Sequence, residues 1–137
     1  MNLNYIGLVA AVSTFLGVWF GHVAVRRIEF ISPTIWVPTL GFAAIGVFLE
    51  WFSVSTSNNL LSTASGILGI TFLWDALEVT RQQNRIKKGH APANPANPRH
   101  ALLMGQYSAA TTLDLLKRDP VGKVVSNAEA VRLISES

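Results

Sequence analysis

Cysteine is absent from the 137 residues, which removes disulfide cross-links, thiolate metal sites and a cysteine nucleophile together. Charge is scarce as well: 14% of residues are Asp, Glu, Lys or Arg, against about 25% in an ordinary soluble domain. Half of the chain is hydrophobic (50%) and its mean hydropathy is +0.35. A chain this short has too little interior to take up that much apolar surface in water, and the same numbers exclude intrinsic disorder. Also missing are a phosphate-binding glycine loop, a metal-ligand spacing, and a serine set beside histidine and carboxylate in a readable motif. We therefore expect no enzyme, no catalytic residue, no metal and no cofactor.

What charge there is falls unevenly. Residues 1–79 hold two basic and four acidic side chains, and residues 80–137 hold nine basic and four acidic ones. A basic tail on a soluble protein would point to nucleic acid. Here the positive charge directly follows apolar segments and the tail carries a single aromatic residue, Tyr107, so anionic lipid head groups are the simpler partner and no nucleic acid is expected. No small-molecule substrate is identified.

Three segments are long and apolar enough to cross a bilayer, which takes roughly 20 residues per helix. The first is 5–25, without a formal charge, followed rather than preceded by arginines, so it does not read as a cleaved signal peptide. The second is 33–54, opened by Ser32 and Pro33, with Pro38 expected to bend it near its start. The third is 60–80, extending as a helix to about 88 and reached through the polar turn 55–59. The fold class is thus all-α, with three transmembrane helices and short amphipathic helices in the tail. We divide the chain into a transmembrane domain (1–88), a Pro/Asn-rich linker (89–100) and a tail (101–137).

Alternation places residues 26–31 and everything after 80 on one side of the membrane, and residues 1–4 and 55–59 on the other. All eleven Lys and Arg fall on the first side. Basic residues near span ends stay in the cytoplasm, so the amino terminus is expected outside and the tail inside. Arg26, Arg27, Arg81, Arg85, Lys87 and Lys88 are the orientation or head-group residues. Tyr5 and Trp51 sit near the outer boundary and Trp36 and Trp74 near the inner one; Trp19 is deeper and could simply pack.

Helices meet in lipid through close backbone approach and a few polar contacts. Ser13, Gly17 and Gly21 recur every fourth position on the first span, as do Ser62 with Gly66 and Ser65 with Gly69 on the third. These small residues form either an oligomer contact or the packing within one subunit. Ionisable groups at membrane depth each need a reason. His22 or Arg26 meeting Asp75 or Glu78 would tie the first helix to the third; the functional alternative is an ion site built from His22 and Asp75 with Glu50, the last otherwise snorkelling to the head groups.

Beyond the third span, Gly89 stops the helix and HAPANPANPRH favours an extended linker. His90 and His100 flank it with neither cysteine nor an adjacent carboxylate, which makes no metal set. An amphipathic helix is expected over 101–118, on Leu102, Ala109, Leu113 and Leu116, ending at Asp119-Pro120. Ser126 to Glu129 fits a capping box before a short helix through Val131, Leu133 and Ile134.

The segments NLNYIGL, HVAVRRIEF and above all LGITFLWDALEVTRQQNRIKKGHAPANP resemble a bacterial family of small three-span membrane proteins catalogued as a domain of unknown function. The likeness covers residues 2–98. Members often place proline directly after the histidine, where this chain has Val23, and they stop soon after the Asn-Pro segment, so residues 101–137 look like an extension. The resemblance implies an inner-membrane location and no known activity. Taken with the residues, it leaves a non-catalytic accessory or scaffold subunit, working with a protein partner or as a homo-oligomer, ahead of a small proton or cation transporter.

Overall fold

The computed structural model describes residues 4–114 together with Arg132 and Ser135. Its four helices are α1 (Tyr5–Ile31), α2 (Trp36–Ser55), α3 (Asn59–Lys87) and α4 (Pro98–Gln106). The first three are each long and apolar enough to span a membrane.

Local chemistry sets the ends. The Asn4 side chain accepts the Gly7 amide at 3.0 Å and so caps α1. α1 then continues six residues past the expected end at 25, through both arginines, because nothing breaks it before Pro33. Ser32, the residue before that proline, is forced extended (φ −72°, ψ 125°) and closes the helix. Ser32 is therefore the C-cap of α1 and not, as its sequence suggests, the N-cap of α2. α2 begins at Trp36 instead of 33, which puts Pro38 in the first turn, where its missing N–H has no intrahelical acceptor to lose. The expected reason for a bend at Pro38 disappears with that shift.

Asn58 caps α3 by accepting the amides of Leu60 (3.0 Å) and Leu61 (3.2 Å). At the other end Gly89 has φ +70°, its N–H bonds to the Ile86 carbonyl, and the His90 N–H reaches back to Arg85. This paired closure is a Schellman motif, and it requires the left-handed residue that glycine supplies most readily.

α3 lies between α1 and α2 and packs on both, while α1 and α2 hardly touch. The membrane part is thus a layer one helix thick. Its core, Val25, Phe42, Ala76 and Val79, gathers at the end of the bundle that carries the basic residues; Phe72 of α3 packs against it and stacks obliquely on Phe20 and Phe42. Towards the 55–59 turn small residues replace large ones. Ser53 and Ser62 donate to each other's carbonyl oxygens, at 2.8 and 2.9 Å, clasping α2 to α3. Large apolar side chains such as Phe15, Trp19, Phe48, Trp51 and Ile70 point outward, as expected for helices with lipid around them. Trp19, deep enough in its span that it could simply pack, is among them.

The tail departs from expectation. Instead of running from 101 to 118, its helix starts at Pro98, with the Asn97 side chain accepting the Arg99 amide at 3.1 Å, and ends at Gln106. The following chain turns back so that the Thr111 carbonyl accepts the Ala93 amide at 2.8 Å and the Ala109 carbonyl lies against Gly89. The supposedly extended linker is therefore half of a small folded cap, residues 89–114, whose Ala91, Ala93 and Leu103 close over Ile86 at the end of α3. The last four residues of the expected helix, 115–118, and the capping box at 126–129 lie outside the described residues.

Candidate functional site

The buried face of α1 is a single stripe: Ser13, Gly17, Gly21, Val25 and Glu29, every fourth residue. Most of it is steric. A Cβ on Gly17 would meet Thr71 and Leu68, and one on Gly21 would run into the Asp75 carboxylate. On the other flank of α3, Gly46 sits against Leu73 and the Gly69 carbonyl, Gly66 against Ser53, and Gly69 against Glu50. The small residues singled out in the sequence thus serve seams inside one subunit.

The last member of the stripe is chemical. Glu29 is 2% exposed, and its Oε1 accepts Arg99 Nη1 at 2.8 Å and lies 3.1 Å from His100 Nε2. His100 is fully buried, and its Nδ1 accepts the Asn94 amide at 2.9 Å. That bond leaves Nδ1 without a proton, so Nε2 carries it and donates to Glu29. A carboxylate thereby takes one charged and one neutral donor in a place where an unpartnered charge would be costly.

Around this pair, residues 94–99 satisfy the open end of α1. A helix leaves its last carbonyls without intrahelical partners. Here Arg99 Nη2 donates to the Glu29 carbonyl (2.8 Å). Asn97 Nδ2 donates to those of Phe30 (3.2 Å) and Ser32 (2.9 Å), and Asn94 Nδ2 also reaches Phe30 (3.1 Å). The Ala-Asn-Pro repeat thus delivers two asparagine amides to one carbonyl. Arg99 also sets a cation against the negative end of the α1 dipole.

The ionisable residues expected to join α1 to α3 are arranged differently. Asp75 is buried in the α1–α3 seam beside Gly21, whereas His22 is exposed and Arg26 half-buried. Among the described residues no hydrogen bond or ion pair links His22 or Arg26 to Asp75 or Glu78. Glu78 instead faces Arg81 one turn along its own helix at 4.0 Å, and Arg81 lies over the Trp74 ring. The α1 tie goes to α4, through Glu29. Arg85 is held by Gln82, Lys87 lies over the Tyr107 ring, and Lys88 is exposed. Arg26, Arg27 and Arg85 line a cleft of about 670 Å³ between α1, α3 and the cap.

Glu29, Asn94, Asn97, Arg99 and His100 escaped the sequence reading. His100 appeared to lack a carboxylate because its partner lies 71 positions away. The available signal was the fourfold spacing itself, which carries the Ser13-Gly17-Gly21 stripe on to Glu29. Among the described residues no group of three or more His, Asp or Glu is placed to hold a metal ion.

No curated protein and no solved structure matches the chain. A family match does exist over residues 4–97, taking in α1 to α3, Glu29, Asn94 and Asn97 and stopping short of Pro98 and Arg99. The chain belongs to the family described as a domain of unknown function, DUF4491.

Proposed function

We propose that this protein is a non-catalytic accessory or scaffold subunit of a bacterial inner-membrane complex, its amino terminus outside and its cap cytoplasmic. The observation that supports this best is the cap fixed to α1 by the Glu29–Arg99–His100 cluster. It turns what would be a loose juxtamembrane tail into a shaped surface held at a set height over the bilayer beside Arg26, Arg27 and Arg85, which suits docking rather than conduction. Orientation follows from the one-sided distribution of all eleven Lys and Arg. The test is chemical cross-linking in native membranes, then purification in mild detergent. A stoichiometric partner or a defined homo-oligomer, lost on Glu29→Ala, is expected; a lone monomer without partner overturns the reading.

A second reading, a small proton or cation conductor using His22, Asp75 and Glu50, draws on the burial of Asp75 at membrane depth. Against it, Asp75 faces α1 whereas Glu50 lies against Gly69 on the α2 flank, and those two α3 positions are about 9 Å apart along the axis. Flux in reconstituted vesicles that Asp75→Asn abolishes would favour it over the scaffold.

A further inference from the structure

We propose that the cleft between α1, α3 and the cap binds the phosphate of an anionic phospholipid whose acyl chains run along α1. The inference rests on the membrane reading but not on any protein partner.

Arg26 and Arg27 come from the last two turns of α1 and Arg85 from the extension of α3, so three guanidinium groups line one cleft. Arg85 is positioned rather than loose: its Nη1 donates to Oε1 of Gln82 at 3.4 Å, and Gln82 is 4% exposed. Among the described residues no ion pair joins any of the three to a carboxylate. Glu29 also borders the cleft, yet its charge is already taken by Arg99 and His100. Asp114 also lines the cleft, a cost to anion binding that the three arginines must outweigh. Basic pockets between spanning helices at the head-group level are where anionic lipid heads bind, and planar guanidinium forks match phosphate oxygens.

A free phosphate would use the same arginines, and the apolar side of the cleft decides for lipid. Val23 and Phe30 form its wall, and from Val23 an exposed stripe climbs α1 through Trp19 to Phe15. These residues are four apart, so they stack on one face over about 12 Å, the direction an acyl chain would take from a phosphate at Arg26. A water-soluble anion has no use for that stripe.

The test uses the full-length protein, delipidated in detergent and reloaded in nanodiscs, with native mass spectrometry counting retained lipids. Phosphatidylglycerol should be retained over phosphatidylcholine, and Arg26→Gln, Arg27→Gln and Arg85→Gln should each weaken retention about fivefold. Lys87→Gln with Lys88→Gln, outside the cleft, should weaken it less than any one of the three. Should one of these variants fail to fold, the other two and an Arg-to-Lys triple variant that keeps most of the preference remain decisive. Equal retention of both lipids, or a preference that survives removal of the arginines, overturns the proposal. So does displacement of the lipid by inorganic phosphate at equal concentration, which would mark a soluble-anion pocket. A protein that stays dissolved without detergent would instead sink the membrane reading beneath it.

Discussion

Glu29 on α1 and His100 on α4 stand 71 residues apart in the chain and 3.1 Å apart in space, at the only point where the described cap meets a buried carboxylate of α1. Truncating Glu29 to alanine would strand Arg99 and His100 in a site with almost no solvent. Breaking one partner of such a buried pair costs roughly 3 to 5 kcal/mol. The cap packs on Ile86 at the end of α3, apart from the core around Val25 and Phe42, so the loss should appear as cap release while α1 to α3 stay folded. Hydrogen exchange should speed up across residues 91–106 in Glu29→Ala, with the α3 amides at 65–79 unchanged. Uniform loss of protection would show that the two parts are not separable.

The two asparagines of the repeat should not be equivalent. Asn97 starts α4 and donates to two carbonyls, whereas Asn94 donates to one and accepts the Ala96 amide. Asn97→Ala should cost about 2 kcal/mol and Asn94→Ala about 1 kcal/mol of cap stability. Limited proteolysis near Gly89 measures both, and a reversed order would contradict the assigned roles.

Gly41 and Gly46 lie five residues apart on α2 and should respond to alanine in opposite directions. A Cβ at Gly41 meets nothing, while one at Gly46 falls 2.7 Å from Leu73 Cγ and 3.0 Å from the Gly69 carbonyl. Gly41→Ala should therefore stabilise by about 0.5 kcal/mol through helix propensity, and Gly46→Ala should destabilise by about 1 to 3 kcal/mol through overpacking. Thermal unfolding in one detergent compares them directly.

For the serine clasp, a double-mutant cycle on Ser53→Ala and Ser62→Ala should return a coupling of about 0.6 kcal/mol, the usual worth of a polar contact between membrane helices. Strict additivity would mean that each hydroxyl is satisfied elsewhere, for instance on its own helix.

The spans were legible because each is set by composition over 20 or more residues, and the stop at Gly89 because its cause lies within two residues. The small-residue stripes were visible too, though whether they packed within or between subunits was open until α3 was seen to carry both seams. Ser32 misled because serine before proline reads equally as an N-cap or as the forced extended residue that ends the preceding helix. The cap was missed for a different reason. Asn-Pro repeats look extended by composition, and only the unsatisfied carbonyls of α1, some 65 residues away, give those amides somewhere to go. No local window contains both halves of that bargain.

Because α3 alone bridges the flanking helices, neither α1 nor α2 meets its lateral neighbour until the ribosome has delivered the last third of the spanning region. The earlier two hairpin limbs must wait in the bilayer as unpaired guests, and the closing bond at Glu29 forms later still. Assembly of the three spans thus waits on α3, the last of them to emerge, which acts as the keystone.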